Sequence, residues 1–370
     1  MSQHLVLVGG GHAHMMTLAN IHQFVAQGHD VTVIGPSEHH YYSGMGPGML
    51  GQTYTPADIR FRTRHVVEKQ GGRFVLAKVD RIDPQTRTAY LSTGESVAYD
   101  VLSFNAGSFV PTPDLAENQD TVFTVKPIER LMHAQTRLAE LMTQQPVTVG
   151  IVGGGPSAAE IAGNVWGLAR NQDLIPPAIR IYAGNRFMSR FPEAVSRKVA
   201  ATLERRGIEI LSTGYVEKID SGRVTLASGE TDELDFIFLA TGVKPSPIFE
   251  ASGLATGPDG GLLVNRYLQS TVYPEIFGGG DCIYFQDRPL DKVGVYAVRQ
   301  NPILLHNLQA QLDGAALMPF DPGGDYLLIF NLGGGVGILR KRWLQFGGRL
   351  AFVVKDYIDR KFMRKFQAIE

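Results

Sequence analysis

The chain opens on an unbroken apolar run, Leu5 to Val8, which passes at once into Gly9-Gly10-Gly11 and then a helical stretch, "LVLVGGGHAHMM". A short continuous apolar run closed by glycine predicts a strand of a parallel sheet buried on both faces. The same pattern returns in "VTVGIVGGGPSAAEIAGNV" (residues 147–165). Each copy is followed by a second apolar strand, "HDVTVIGP" (29–36) and "AIRIYAGN" (178–185). Each then closes on a further strand ending in a small-residue turn, "YDVLSFNAGS" (99–108) and "LDFIFLATGV" (234–243). The pattern predicts an α/β protein of two similar Rossmann-like, three-layer units. A third closing phrase, "EIFGGGDCIYF" (275–285), has no glycine turn of its own and most simply returns the chain to the first unit. The predicted organisation is therefore a first domain from residues 1–110 and 245–320, with a second, 111–244, inserted in it. "FVPTPD" (109–114) and "VKPSPIF" (243–249) are the expected crossing linkers. Residues 321–370 form a tail, predicted as a hairpin around Gly333-Gly334-Gly335 and an amphipathic helix from about Leu350 to Phe366.

Composition narrows the function more than the fold. The 370 residues, 44% hydrophobic and 19% charged, suit two or three folded domains. A net charge of −1 gives no field for nucleic acid. No apolar run reaches the ~18 residues of a membrane span and no signal sequence opens the chain, so a cytoplasmic address is expected. Cys282 is the single cysteine, which excludes an internal dithiol and leaves no cluster for zinc. Seven of the ten histidines lie in the first 40 residues, but no carboxylate or cysteine joins them at ligand spacing, and no metal is expected.

A glycine turn at a helix N-terminus binds pyrophosphate, because its amides converge and the helix dipole favours anions. In the spacing G-x-G-x-x-G, Gly153, Gly155 and Ala158 fill the inner turn; Gly9 and Gly11 begin the outer one, but His14 stands in its third place. Either an imidazole fills the gap between helix and strand there, or His14 handles protons near a cofactor. Two turns in nested units read most economically as FAD in the outer and a nicotinamide nucleotide in the inner. At this point the chain resembles the two-dinucleotide-domain flavoprotein reductases of the pyridine nucleotide-disulfide oxidoreductase superfamily. It is most similar to type II NADH:quinone oxidoreductases and to the flavoprotein joined to selenide water dikinase. The phrases that carry this are "GGGHAH" (9–14), "YYSGMGPGMLGQTY" (41–54), "VKPIE" (125–129), "VGVYAVRQNPILLHNL" (293–308) and "KDYIDRKFMRKF" (355–366).

The resemblance implies FAD contacts at Gly9, Gly11, His12, Ala13, His14, Ser43, Gly44, Ala106, Gly107, Asp281 and Gln300. It gives Asp281 the ribityl end, Lys126 the flavin N5 and the helix bearing Arg299 and Gln300 the N1/O2 edge. For NADH or NADPH it implies Gly153, Gly155, Pro156, Ser157, Glu160 and Gly242, with Glu160 beside the reacting rings. Glu160, Lys126 and Gln300 are the expected catalytic residues. The acid usual ~20 residues after each turn is missing. Ser37 or Glu38 would reach the FAD ribose, and Arg186 is compatible with a 2′-phosphate or with a vestigial site.

Without a cysteine pair, electrons would leave the flavin directly, to a quinone-like acceptor. A redox-sensing or partner-docking flavoprotein and a sulfur- or selenium-handling reductase stand as alternatives. Between Arg340 and Lys365 nine basic residues face two acids, interleaved with apolar ones, with Leu350, Val354, Tyr357 and Ile358 at helical spacing. Residues 340–366 are thus expected to lie on an anionic membrane surface, making the protein peripheral on its inner face. Nothing in the sequence fixes an oligomeric state.

Overall fold

The computed structural model describes residues 2–112, 120–220 and 222–370, so residues 113 and 114 of the first expected linker lie outside it. It contains two five-stranded parallel sheets of α/β, Rossmann-like design. The outer sheet runs Ile276–Gly278, Val101–Phe104, His4–Val8, Asp30–Gly35, Arg73–Leu76. The inner runs Val122–Thr124, Phe236–Leu239, Thr148–Val152, Ala178–Tyr182, Glu209–Leu211. In both, the strand before the glycine turn lies mid-sheet between the second strand and the closing strand, so its side chains are buried on both faces. That placement is why these segments read as continuous apolar runs. Only the edge strand differs: Ile276–Gly278 follows its sheet's glycine turn by more than 260 residues, whereas Val122–Thr124 precedes the glycine turn of its own sheet.

Each unit also carries a three-stranded antiparallel sheet that the sequence reading did not separate. One comprises Val79–Asp83, Thr88–Leu91 and Ser96–Ala98; the other Val216–Asp220, Arg223–Leu226 and Thr231–Glu233. Their hairpins share one construction. Gly94 and Gly229 both take φ +85°, and in each turn the leucine three residues earlier, Leu91 or Leu226, donates its N–H to the carbonyl of Glu95 or Glu230. "LSTGE" and "LASGE" (91–95 and 226–230) are therefore a further repeat that could have revealed them. The two crossing segments meet as an antiparallel ribbon, Ser108–Phe109 against Lys244–Pro245.

The tail is a three-stranded antiparallel sheet, Leu328–Asn331, Gly337–Lys341 and Leu344–Gly348, one strand more than the expected hairpin, followed by a helix at Arg349–Gln367. It packs on the inner unit. Phe330, Leu332, Ile338, Met363 and Phe366 share a core with Ile151, Ala162 and Val165 of that unit. The approach is backbone to backbone: a Cβ on Gly163 would lie 2.2 Å from the Leu332 carbonyl oxygen, and one on Gly333 2.1 Å from that of Gly163. The side of the C-terminal helix facing inward carries Ala351, Lys355, Asp359, Met363 and Phe366. Much of the expected apolar stripe faces out, with Leu350 66%, Tyr357 60% and Ile358 42% exposed and Val354 half-buried.

Candidate active site

Two distant segments converge on the first glycine turn, held to it by a residue that the sequence reading missed. Gly9 has φ +90°, and a Cβ there would fall 2.3 Å from the Asn105 carbonyl oxygen. Asn105 Oδ1 accepts from the Ala13 N–H at 3.1 Å, and its Nδ2 donates to the Gly279 carbonyl at 2.7 Å. One amide thus ties the turn, the closing strand and the "GGGDC" phrase. An asparagine at the end of an apolar strand, in "FNAG", was the available signal.

His14 is fully buried and bridges the same parts, its Nδ1 2.7 Å from the Gly9 carbonyl oxygen and its Nε2 2.8 Å from Ser103 Oγ. A carbonyl can only accept, so Nδ1 carries the proton and Nε2 accepts from the serine. Burial pushes its pKa down to about 4, which keeps this bridge neutral at ordinary pH. The imidazole replaces close helix-to-strand packing with two hydrogen bonds.

At the far wall, Gln300 Oε1 accepts from the Gly280 N–H at 2.7 Å, while its buried Nε2 has no partner among the described residues. Asp281 Oδ2 accepts from Ser108 Oγ at 2.8 Å and from Lys126 Nζ at 2.9 Å. Burial works against the charge of Asp281, yet the Lys126 ammonium and the Ser108 hydroxyl hold its carboxyl below the usual carboxylate range. Gly107, at φ +69°, follows Ala106 at the end of the closing strand. Ser43 and Gly44 lie in a short helical turn, with the Gly44 carbonyl accepting from Lys355 Nζ at 2.9 Å. Ser37 Oγ accepts from the His39 N–H at 3.2 Å, and Glu38 is ion-paired with Arg64. Arg299 turns away to the carbonyls of Pro322 and Gly324, a structural role.

The inner turn repeats the geometry of the outer. Gly153 has φ +140°, with a Cβ position 2.2 Å from the Ala240 carbonyl oxygen. Gly155 precedes the helix Pro156–Asn171 and no side chain caps its first amides, with Ser157 exposed in the first turn. Gly242, at φ +102°, and Arg186 are exposed. Glu160 points to the tail: its Oε1 accepts from the Asn331 N–H at 2.8 Å. Burial pushes its pKa up to about 7 against the opposing charge of Lys355. Lys355 Nζ in turn donates to Asp359 at 2.8 Å. Cys282 is buried, its thiol pushed up to about 11 by burial.

These placements suit an FAD and a nicotinamide nucleotide. The inner turn presents uncapped amides at a helix start, and the first glycine of each turn fills a cradle that a Cβ would obstruct.

Comparison with known proteins agrees. A family model described as pyridine nucleotide-disulphide oxidoreductase matches residues 3–311. The type II NADH:quinone oxidoreductase of Staphylococcus saprophyticus is 24% identical over 398 residues, covering 99% of this chain and 96% of that one. Its Staphylococcus aureus counterpart is 22% identical over the same shares. Among solved structures, the sulfide:quinone oxidoreductase of Aquifex aeolicus superposes with a TM-score of 0.79 at 17% identity, covering 100% of this chain and 92% of that one. NDH2 from Plasmodium falciparum, solved with NADH, gives 0.77 at 14% identity, with 99% and 100% covered.

Proposed function

The chain belongs to the pyridine nucleotide-disulphide oxidoreductase family, and on that premise we propose that it is an FAD-dependent NAD(P)H dehydrogenase delivering electrons to a quinone-like acceptor without a redox disulfide. The observation that carries this is the convergence of two nucleotide turns with a single cysteine that is buried and held protonated. A chain of this family that lacks a reactive thiol has no route through sulfur. A bound flavin would supply the two-electron chemistry that links a nicotinamide hydride to the acceptor.

The protein's own groups hold and tune that chemistry. The amides after Gly9 and Gly155 bind the two pyrophosphates. Asp281 accepts hydrogen bonds at the outer site, and Lys126 places a cation where negative charge develops. Glu160, with a pKa near neutrality, holds or releases a proton beside the nicotinamide. The purified protein is expected to be yellow with one FAD per chain, and anaerobic NADH or NADPH should bleach it within the turnover time. No bleaching with either nucleotide overturns the reading.

Arg186 is the expected discriminator between the nucleotides, since it is an exposed cation after a strand that lacks the ribose-binding acid. Arg186→Ala should raise the KM for NADPH about tenfold and leave that for NADH little changed. Equal effects on both remove the phosphate role.

Among the described residues no helix is long and apolar enough to cross a membrane. The outward stripe of Leu350, Val353 and Tyr357, continued by Trp343 at 87% exposure and flanked by Arg349, Lys361, Arg364 and Lys365, suits an anionic lipid surface on the cytoplasmic side, where a lipid-soluble quinone is found. Each basic side chain near such a surface contributes ~1 kcal/mol. The intact protein should co-sediment with anionic vesicles at low salt and not with neutral ones. A version ending near Lys341 should lose this binding, and equal binding by both versions would remove the tail from that role.

A further inference from the structure

The inner unit lacks the acid that ordinarily follows the second strand of such a fold, and an exposed aromatic ring stands beside the place of that acid. The loop after Ala178–Tyr182 is drawn against the glycine turn. A Cβ on Gly154 would lie 2.5 Å from the Ala183 carbonyl oxygen, and the Met188 N–H donates to the Gly154 carbonyl at 2.7 Å. The next strand outward, Glu209–Leu211, ends in a loop that meets this one, with the Gly214 N–H donating to the Gly184 carbonyl at 3.3 Å. Tyr215 follows directly, and its ring lies across Gly184: a Cβ there would fall 2.6 Å from Cε1 and 2.9 Å from Cδ1 of the ring. Gly184 also takes φ +67°, so both its backbone and the ring on top of it require glycine.

Neither packing nor the adjoining hairpin accounts for this ring. Tyr215 is 64% exposed, and its hydroxyl has no partner among the described residues. Its backbone role is shared with the outer unit: the Tyr215 carbonyl accepts from the Ala227 N–H at 2.9 Å, as the Lys78 carbonyl accepts from the Ser92 N–H at 2.9 Å. "KVDRID" (78–83) and "YVEKID" (215–220) are therefore equivalent segments, and the outer unit builds with a lysine what the inner builds with a tyrosine. The fold itself does not call for an aromatic side chain here.

A dinucleotide bound at such a turn crosses the carboxyl ends of the strands, with its pyrophosphate on the turn and its adenosine ribose over the end of the second strand. The base then continues outward, over Gly184 and Tyr215. We infer that Tyr215 is the seat of the adenine, a stacking platform that replaces the missing acid as the hold on the adenosine half of the nucleotide. This rests on the reading of the inner turn as a nicotinamide-nucleotide site. Stacking engages the face of the base and no ribose hydroxyl, so the platform grips NADH and NADPH alike. Arg186, the exposed cation on the same loop, adds its contact only where a 2′-phosphate is present.

The test uses holoprotein, its outer site filled with FAD, titrated calorimetrically with ADP-ribose, which carries the adenosine half and no nicotinamide. Affinity should fall at least about fivefold in Tyr215→Ala and stay within about twofold of wild type in Tyr215→Phe, which keeps the ring and drops the hydroxyl. ADP and 2′-deoxy-ADP should bind the wild type within about threefold of one another, because no charged acceptor holds the 2′-hydroxyl. Reduced nicotinamide mononucleotide, which has no adenosine, should reduce the flavin equally fast in wild type and Tyr215→Ala. A smaller loss in Tyr215→Ala, an equal loss in Tyr215→Phe or a wild type that does not bind ADP-ribose overturns the platform. A stronger preference for ADP over 2′-deoxy-ADP overturns it too, since a ribose contact then holds the nucleotide. ADP-ribose transfers no hydride, so a protein that binds it through Tyr215 but is not bleached by NADH or NADPH would overturn the dehydrogenase reading and leave this one standing.

Discussion

Asp281→Ala protein is expected to fold but to leave purification largely colourless, with FAD affinity reduced about 10- to 150-fold. Hydrogen bonds to a charged group contribute ~1.5–3 kcal/mol each, and every 1.4 kcal/mol is tenfold. Asp281 is also the partner of Lys126 and Ser108, so the change leaves a cation three-quarters buried without its counter-charge. A stability loss of roughly 1–2 kcal/mol should follow, smaller than for a fully buried pair because Lys126 keeps some solvent. Adding Lys126→Met should recover that stability without restoring FAD, which separates the structural pair from the binding role. The pH dependence has a defined sign. The carboxyl is held below its unfolded value, so its contribution is complete above the ordinary carboxylate range and is lost only as pH falls through the lower folded value. Flavin retention by the wild type should therefore be flat from neutral pH into mild acid. Full FAD content in Asp281→Ala, measured by absorbance after gel filtration, would remove Asp281 from the cofactor site.

The parts of this architecture that were legible in the sequence are those in which one local stretch meets a demanding backbone requirement. Gly9 and Gly153 sit at positive φ against a neighbouring carbonyl, a place no other residue fills, and so the turns stand out at any distance from their partners. The mid-sheet strands are apolar throughout because helices cover both faces. What escaped reading depends on pairs far apart in the chain. Asn105 reaches Gly279, 174 residues away, and Glu160 reaches Asn331, 171 away. No local pattern encodes either partner. The C-terminal helix shows the limit of hydrophobic patterning most plainly. Its apolar stripe is real, but Lys355 and Asp359 face inward, where they neutralise one another and meet the Gly44 carbonyl and Tyr42, so much of the stripe is left outside. A rule that buries the apolar face would have docked this helix the wrong way round.

Glu160→Gln should slow turnover at pH 7 by at least about tenfold while making the protein more stable above neutrality. Gln keeps an acceptor for the Asn331 N–H and matches the shape, so the change removes only the charge and the exchangeable proton. A positioned acid or base of matched pKa contributes typically ~10²–10⁴ in rate, which sets the scale of the loss. The stability gain follows from linkage. Burial raises the carboxyl from its usual 4.5 to about 7, so the folded chain holds a proton that the unfolded chain has released across that interval. The penalty is absent below the unfolded value, grows through the window and is complete above pH 7, where it amounts to on the order of 3 kcal/mol. Thermal unfolding should accordingly show the variant equal to the wild type near pH 4 and clearly more stable at pH 8. Its rate profile should also lose the limb near pH 7 that the wild type is expected to show. Two other results separate the roles: unchanged turnover with the stability gain would make Glu160 a buried carboxyl of the tail interface alone, and slowed turnover with no pH-dependent gain would mean that its charge is already paid for by Lys355.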